Sequence, residues 1–259
     1  MERGFLSSLP QGVDRELIAR VLDCCDIASQ QQRVKYTDFL DPFHREFVRP
    51  IIANFFGIRF LEEGGYPPAE QKRIIIYPDY YKPGDLEPGV ALMEITLSDP
   101  AKPLSHRDYL GSLMNMGLRR GVMGDILPYE GGAQVFVAAE VAESLLGLEA
   151  VSRFKAEARI IPPYQVRFQE QPQRTITATV ASLRLDAVLS AGLGLGRSKV
   201  SELVKGDKVR VNWREISQPS FTLQQGDVVS VRGRGRIELS ETLGETKKGR
   251  IRITVKKFV

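Results

Sequence analysis

The sequence has few of the residues from which metal centres and disulfide networks are built. Its 259 residues include only two cysteines, two histidines and one tryptophan. Cys24 and Cys25 are adjacent, so they do not form an ordinary structural disulfide. We favour core packing for both, with a reactive thiol as the alternative. Such sparse cysteine use is typical of the reducing cytoplasm, where we expect this chain to act.

Long apolar runs are also absent. No stretch approaches the roughly 20 residues that span a bilayer, and residues 1–10 lack the apolar core and cleavage site of a signal peptide. We therefore expect no membrane insertion. The hydrophobic content of 42% and charged content of 26% are typical of a folded soluble protein. At about 100–200 residues per domain, the length predicts two or three domains.

Charge is distributed unevenly along the chain. Residues 182–259 contain 16 Lys/Arg and 8 Asp/Glu, whereas residues 1–181 contain 20 Lys/Arg and 24 Asp/Glu, and together they give the net charge of +4. A basic C-terminal third favours a polyanionic partner such as nucleic acid. A merely solvated basic surface is the alternative interpretation.

Residues 1–70 predict an N-terminal helical domain. Apolar residues recur at helical spacing from Leu17 to Cys25. A second helix is predicted to begin at Asp41-Pro42, because Asp is a favourable N-cap and Pro suits the first helical turn. A loop rich in glycine and proline ends this domain.

Residues 71–165 predict a ferredoxin-like middle domain. After a strand at Ile74–Tyr77, the remaining elements follow the order β-α-β-β-α-β, with helices at Ser105–Met116 and Ala139–Leu148. RNA-recognition motifs share this arrangement, but their aromatic stacking signature is missing. Phe136 is the only aromatic residue in its strand, so the domain is interpreted as a scaffold.

Residues 182–240 predict a small basic α/β domain, and residues 241–259 a basic extension. In the second predicted helix, Arg197, Ser198, Ser201 and Lys205 fall on one strip at 100° per residue. Two cations and two hydroxyls near a helix N-terminus suit the binding of phosphate oxygens.

The strands predicted after this helix carry more cations. Polar and apolar residues alternate from Lys208 to Asn212, and arginines alternate with glycines from Arg232 to Arg236. An extended backbone would place the three arginines of the second segment on one face. The residues predicted to contact RNA are Arg184, Arg197, Ser198, Lys199, Ser201, Lys205, Lys208, Arg210, Asn212, Arg232, Arg234 and Arg236.

Both ends of the helix predicted at Ser105–Met116 allow a second interpretation. Its flanking residues could contact RNA or belong to solvated helix ends. His106, Asp108 and Asp125 could instead form a hydrolytic or metal site, although Ser105-x-x-Asp108 is typical of a capping box and is favoured. The candidates for secondary RNA contact are His106, Arg107, Arg119 and Arg120.

Ordered motifs in the basic domain resemble a known RNA-binding family. They are Arg184-Leu185-Asp186, Gly196 to Val200, Leu203 to Gly206, Val209 to Asn212 and Gly226-Asp227. Together they are similar to the domain named after protein four of the small ribosomal subunit, the S-four domain. The resemblance implies that the two helices and the adjoining strand bind structured ribosomal or transfer RNA.

Trp213 departs from this pattern, since many S-four domains have glycine after the asparagine. Tryptophan is poorly suited to positive φ, so the hairpin is expected to differ there. The ring is interpreted as packing under the hairpin, with base stacking as the alternative.

The upstream chain resembles the bacterial YlmH family through Tyr36 to Pro42, Gly64 to Tyr66, Leu104 to Gly111 and Gly124 to Ile126. The resemblance implies an α+β protein with an N-terminal helical domain, a ferredoxin-like middle domain and a C-terminal S-four domain. It also implies a ribosome-associated RNA-binding protein, engaged with large subunits that carry stalled peptidyl-tRNA in translation quality control.

We therefore predict a non-enzymatic RNA-binding protein without a cofactor or metal. Gly192 to Gly196 is favoured as an interhelical turn over a nucleotide-binding loop. One alternative is an RNA-modifying enzyme targeted by its S-four domain, in which Asp186 would correspond to the catalytic aspartate of a pseudouridine synthase. Another is an assembly factor for a photosystem or other membrane complex.

Overall fold

A computed structural model describes residues 12–101, 103–168 and 173–258. The chain forms two compact units, Met1–Phe168 and Gln169–Val259. Within the described residues, no helix is long and apolar enough to cross a membrane.

The N-terminal region of the first unit packs two helices against a small sheet. The helices are α1 (Arg15–Gln31) and α2 (Pro42–Ala53), and the strands are β1 (Lys35–Tyr36), β2 (Ile58–Glu63) and β3 (Arg73–Pro78). The antiparallel sheet has the order β1-β3-β2. The sequence predicted both helices but not this sheet.

The helix signals in the sequence act as predicted. The Asp41 carboxylate accepts a hydrogen bond from the His44 backbone N–H at 2.9 Å, and Pro42 is the first residue of α2. The predicted apolar stripe of α1 is in the core, where Ile18 and Cys25 are fully buried. Burial raises the pKa of Cys25 to about 12, which disfavours the reactive thiolate and supports the packing interpretation.

The strand predicted at Ile74–Tyr77 forms, but it does not join the middle domain as expected. β3 is the central strand of the N-terminal sheet, so this region extends beyond the predicted boundary at residue 70. Every residue of β3 is buried. A continuous apolar run indicates a strand that is covered on both faces, but it does not indicate which sheet the strand joins.

The middle region has the ferredoxin-like strand order that the sequence predicted. Its elements are β4 (Val90–Leu97), α3 (His106–Asn115), β5 (Met123–Tyr129), β6 (Gly132–Ala138), β7 (Ala150–Val151) and β8 (Phe154–Ile161). Its antiparallel sheet has the order β5-β6-β4-β8-β7. The short β7 extends the sheet at the β8 edge.

The helix predicted at Ala139–Leu148 is replaced by two short 3-10 helices, Ala139–Val141 and Glu143–Gly147. Ala142, Leu145 and Leu148 are the buried side chains of this segment. Their spacing of three residues matches the three residues per turn of a 3-10 helix, which explains the difference.

A buried arginine joins the N-terminal and middle regions. Arg73 is 3% exposed and donates hydrogen bonds to the carbonyl oxygens of Thr37 at 2.7 Å and Gly89 at 2.6 Å. Its guanidinium also forms two 2.7 Å bonds to the Glu140 carboxylate. A buried cation is tolerated only when it is paired and hydrogen-bonded, and this one has partners from three chain segments.

The second unit is a six-stranded antiparallel sheet with two helices. Its elements are β9 (Gln173–Val180), α4 (Leu185–Leu193), α5 (Arg197–Lys205), β10 (Val209–Val211), β11 (Arg214–Glu215), β12 (Val228–Val231), β13 (Gly235–Glu245) and β14 (Ile251–Phe258). The strand order is β11-β10-β12-β13-β14-β9. Val200, Leu203 and Val204 of α5 belong to the core of this unit.

The C-terminal residues are part of this sheet and not an extension beyond it. β14 pairs with β13 on one side and with the whole of β9 on the other. Ile253 and Val255 are fully buried, whereas the neighbouring Arg252 and Lys256 are not. The folded unit therefore exceeds the predicted 182–240 at both ends. Residues 169–172 are outside the described part of the chain, and β9 begins directly after them at Gln173.

We predict that Glu140→Ala lowers the free energy of unfolding of the first unit by about 1.5–3 kcal/mol, because it removes the charge-assisted hydrogen bonds between a buried guanidinium and a half-exposed carboxylate. Burial alone would raise the pKa of Glu140, but hydrogen bonds from Arg73 hold it below its ordinary value. The stabilisation should therefore be present above about pH 4.3 and be lost as the pH falls below it.

Chemical denaturation of the full chain, followed by circular dichroism, measures this effect. The exposed Glu143→Ala, three residues away, is the matched control and should change stability by less than about 0.5 kcal/mol. The only tryptophan lies in the second unit, so its fluorescence transition should be unaffected by either substitution. Equal stabilities of the two variants would show that the ion pair contributes little.

Candidate nucleic-acid interface

The strip predicted on the second helix of the C-terminal unit faces solvent. Arg197, Ser198 and Lys205 of α5 are exposed, and Ser201 is partly buried. We call these four residues the basic helix strip. At 1.5 Å per residue, the strip is about 12 Å long. Among the described residues, neither Arg197 nor Lys205 has an ion-pair partner. The Arg197 guanidinium and the Lys205 ammonium group are therefore available to phosphates.

Asp186 partly neutralises the N-terminal end of this strip. Its carboxylate accepts hydrogen bonds from Arg184 at 3.1 and 3.0 Å. These bonds lower the pKa of Asp186, and the charge of Arg197 lowers it further. Asp186 is therefore ionised at neutral pH and lies near both cations. Arg184 is exposed, but its charge is already compensated within the domain.

Two more predicted contact residues have carboxylate partners. Lys199 Nζ lies 3.0 Å from Glu202 on the same helix, and Arg210 lies 2.8 Å from Glu215 across the β10–β11 hairpin. Exposed pairs of this kind contribute little to stability and are easily exchanged for phosphate contacts. Lys199 and Arg210 therefore remain accessible, with less net charge to offer RNA than Arg197 and Lys205.

The Asn212 side chain is used to fix the β10–β11 hairpin. Its amide donates to the Asp227 carboxylate at 2.8 Å, and its carbonyl accepts from the Val228 backbone N–H at 2.9 Å. Asn212, one of the predicted RNA contacts, therefore acts first as a structural residue.

Trp213 adopts the conformation that its residue type was expected to prevent. Asn212 and Trp213 have φ of 47° and 66°, the positive values of a two-residue type I′ turn. The left-handed conformation costs a non-glycine residue about 1–2 kcal/mol. The hydrogen bonds of Asn212 hold the turn closed in spite of this cost, so the expected change in the hairpin does not occur.

The predicted arginine ladder does not form. Arg232 and Arg234 lie in the turn between β12 and β13, and only Arg236 is in a strand. The glycines after the first two arginines have φ of 77° and 96°, and these values turn the chain back. Alternating glycine is compatible with either an extended strand or a tight turn, so the sequence pattern did not decide between them.

This turn brings its cations to the C-terminal end of the strip. The Arg232 backbone N–H donates to the Lys208 carbonyl at 2.8 Å, three residues beyond the end of α5. Lys208, Arg232 and Arg234 are exposed, and no ion pair involves them within the described part of the chain. The basic surface therefore extends from α5 into this turn.

The middle region does not offer the stacking surface of an RNA-recognition motif. Phe136 is fully buried, and the Tyr66 ring covers it with centroids 4.7 Å apart and planes 10° apart. The buried Glu94 lies on the same sheet face, paired with Arg159 and Arg167. These partners are more than sixty residues from Glu94 in sequence, and no local pattern indicated them. Any RNA contact by this region must use another surface.

The four candidates for secondary RNA contact differ in how accessible their side chains are. Arg119 lies 3.4 Å from the Asp38 carboxylate, and Arg120 donates to the carbonyl oxygens of Met123 and Gly124. Both arginines are therefore already engaged in contacts within the first unit. His106 and Arg107 are exposed at the start of α3, where they remain accessible to a ligand.

The carboxylates considered for a hydrolytic or metal site have structural partners. Asp108 accepts from the backbone N–H and the hydroxyl of Ser105, at 2.8 and 2.6 Å, which confirms the predicted capping box. Asp125 accepts from the Tyr66 hydroxyl at 2.9 Å and from two backbone N–H groups. No group of three metal-ligating side chains occurs in residues 12–101, 103–168 and 173–258.

Three domain families match the chain in order. They are YlmH, N-terminal, at residues 13–81, the putative RNA-binding domain in YlmH at 83–161, and the S4 domain at 183–229. A curated relative, ribosome-associated protein quality control protein P2 of Bacillus subtilis (strain 168), is 34% identical over 250 residues, covering 93% of this chain and 94% of that protein. The solved structure of cell division protein ylmH from Streptococcus pneumoniae is 24% identical with a TM-score of 0.48, and the match covers 60% of this chain and 96% of that chain.

Proposed function

The chain belongs to the YlmH family of RNA-binding proteins, and we propose that it binds structured ribosomal or transfer RNA on the ribosome through its S4 domain. The observation that carries this proposal is the basic helix strip, whose Arg197 and Lys205 are exposed and form no ion pair among the described residues. The cations supply affinity for the phosphate backbone, and the hydroxyls of Ser198 and Ser201 fix the register.

Recognition of this kind depends on RNA shape more than on base edges. An A-form helix has a deep and narrow major groove that side chains cannot enter, so contacts go to phosphates and 2′-hydroxyls. A strip about 12 Å long on a rigid helix presents its cations at a fixed spacing. We therefore expect the strip to bind adjacent phosphates of a folded RNA and to have little sequence preference of its own.

The curated relative from Bacillus subtilis suggests the cellular process in which this chain acts. That protein is named for ribosome-associated quality control. We propose a corresponding cytoplasmic role, in which this chain binds large subunits that carry stalled peptidyl-tRNA. Assembly of a photosystem or another membrane complex is a weaker proposal, because the free cations lie on a domain of an RNA-binding family.

We also propose that the chain binds RNA without modifying it. The carboxylate that sequence analysis compared with a pseudouridine synthase nucleophile, Asp186, is held by two hydrogen bonds from Arg184. This pairing supports a structural and electrostatic role at the start of α4. The RNA-modifying alternative requires this carboxylate to lie in a pocket that takes the target base.

The double substitution Arg197→Ala and Lys205→Ala tests the strip. Both side chains are solvent-exposed, so the fold should be retained, with a stability change of about 0.5 kcal/mol or less for each substitution. If each residue neutralises one phosphate, the slope of log affinity against log salt should fall by about 1.4–1.8 in magnitude. Filter binding to ribosomal RNA over a salt series measures the slope, with circular dichroism to verify folding.

The matched control is Lys247→Ala with Lys248→Ala. These exposed lysines lie in the turn between β13 and β14, and their removal lowers the net charge by the same amount. The control should leave the salt slope near the wild-type value. Equal losses in the two double variants would mean that RNA responds only to total charge, and the proposal that the strip is the binding site would be wrong.

Asp186→Asn separates binding from catalysis. Removing the carboxylate frees Arg184 and eliminates a repulsive charge, and about 1 kcal/mol of Coulomb energy corresponds to roughly fivefold tighter RNA binding. Mass spectrometry of RNA incubated with the wild-type protein should detect no new modified nucleoside. A modified nucleoside that disappears with Asp186→Asn would contradict the proposal and establish the enzyme alternative.

A further inference from the structure

One end of the C-terminal sheet carries a pair of opposed cations. Arg174 of β9 and Lys257 of β14 lie directly opposite each other in the antiparallel ladder. Arg174 is exposed and Lys257 is partly buried, and neither side chain has an ion-pair or hydrogen-bond partner in the described part of the chain. Like charges directly opposite each other on neighbouring strands are destabilising. The fold alone therefore does not account for this pair, whereas an anion held between the two side chains does.

The strand register places both side chains on the face of the sheet that carries the helices. Side chains alternate along a strand, so Lys257 and its partner share the face of the fully buried Val255. A methyl group added at Gly192 of α4 would lie 3.0 Å from the Val255 side chain, which shows that α4 covers this face. α4 ends one residue after Gly192. The opposed pair is therefore next on this face beyond the helix, where solvent reaches it.

The same end of the sheet carries the cations that already extend the basic helix strip. β10 and β13 begin there and β12 ends there, in the strand order β10-β12-β13-β14-β9. Lys208 directly precedes β10, and Arg232 and Arg234 lie in the β12–β13 turn. At about 4.8 Å per strand, these cations and the opposed pair span roughly 19 Å across the sheet. Among the described residues within two positions of these strand ends, Asp207 is the only carboxylate, and β12 and β13 separate it from the pair.

The opposed pair lies outside the residues that match the S4 family. That match covers 183–229, whereas β9 precedes it and β14 follows it. The whole of β9 pairs with β14, and β14 pairs with β13, so both strands belong to the folded unit. The family match therefore does not assign this surface, although the sheet holds it on the same side as the helices.

The C-terminal end of α4 offers a structural explanation for the pair, because the last carbonyl groups of a helix carry a partial negative charge. The chain itself closes this end, since the backbone N–H groups of Gly194 and Leu195 both donate to the carbonyl oxygen of Ser190. Neither Arg174 nor Lys257 donates a hydrogen bond to it in the described structure. The helix-end explanation predicts that removing the pair lowers stability, so a stability measurement distinguishes it from ligand binding.

We propose that Arg174 and Lys257 form a phosphate-binding site that continues the RNA surface across the end of the C-terminal sheet. One backbone phosphate lies between the opposed side chains, and its charge relieves their repulsion. The RNA contacts the strip, the β12–β13 turn and this pair in succession. This inference rests on the proposed function, because the phosphate belongs to the RNA that the strip binds.

Arg174→Ala with Lys257→Ala tests the pair in the full-length protein. If the two side chains together neutralise one phosphate, the slope of log affinity against log salt for ribosomal RNA should fall by about 0.7–0.9 in magnitude. The thermal midpoint of the free protein should stay the same or rise, because a repulsion between like charges is removed. The charge-conserving exchange Arg174→Lys with Lys257→Arg should keep the wild-type salt slope.

The matched control is Arg252→Ala with Lys256→Ala. These residues lie on β14 opposite Thr179 and Thr175 of β9, so they occupy the other face of the same two strands. The control removes the same charge and should leave the salt slope near the wild-type value. Equal losses in the two double variants would show that RNA responds only to total charge, and the proposal would be overturned.

Failure of this inference can be distinguished from failure of the proposed function. A lower thermal midpoint with an unchanged salt slope in Arg174→Ala with Lys257→Ala would assign the pair to the end of α4 and overturn the inference. If Arg197→Ala with Lys205→Ala lowers the slope while the pair variant keeps it, the strip is the RNA site and the pair is not part of it. If neither double variant changes the slope or the affinity, the proposed function itself is wrong. A loss confined to the pair variant would support the pair and exclude the strip.

Discussion

Burial of one face of α5 is the constraint on which the proposed RNA-binding surface depends. Val200 and Val204 are completely buried in the core of the C-terminal unit, and loss of either contact would expose apolar area worth about 1.5–3 kcal/mol per side chain. Once that face is fixed, helical geometry places Arg197 and Lys205 in solvent on the other side. The core packing therefore sets both the direction and the spacing of the cations.

Carboxylate partners then determine which cations remain available. Arg73 is buried and requires Glu140, and Arg184, Lys199 and Arg210 each lie next to an acidic residue. A charge that has been compensated within the protein contributes less to phosphate binding, because an existing interaction must be exchanged for the new one. The basic composition of the C-terminal third thus overstates the charge that the predicted contact residues offer to RNA. Of these residues, Arg197, Lys205, Lys208, Arg232 and Arg234 form no ion pair within the described part of the chain.

In the middle region, too, contacts within the protein limit the surface that is open to RNA. It has the strand order of an RNA-recognition motif, but the place where such a motif stacks bases is covered by Tyr66 on Phe136. The similar fold therefore does not imply that this region binds bases in the way an RNA-recognition motif does. The first unit instead contains polar contacts that join its two regions, such as the ion pair of the buried Arg73 with Glu140 and the hydrogen bonds of Asp125.

Local signals in the sequence were sufficient to predict the α-helices and most of the strands. Asp41-Pro42 marked the start of α2, and the apolar spacing of α5 predicted which side would face solvent. The errors occurred where the outcome depends on distant partners or on turn geometry. The apolar run of β3 did not reveal its neighbours, the glycines near Arg234 allowed either a strand or a turn, and Trp213 adopts a conformation that its residue type disfavours because Asn212 fixes the hairpin.

We propose that the C-terminal unit contacts RNA through α5 and the hairpin that follows it. Ultraviolet crosslinking of the full-length protein to ribosomal RNA, followed by mass spectrometry of the crosslinked peptides, would locate these contacts. We expect the crosslinks to concentrate in residues 197–213 and in the turn at 232–234. Crosslinks confined to residues 83–161 would show that the middle region, and not α5, binds the RNA.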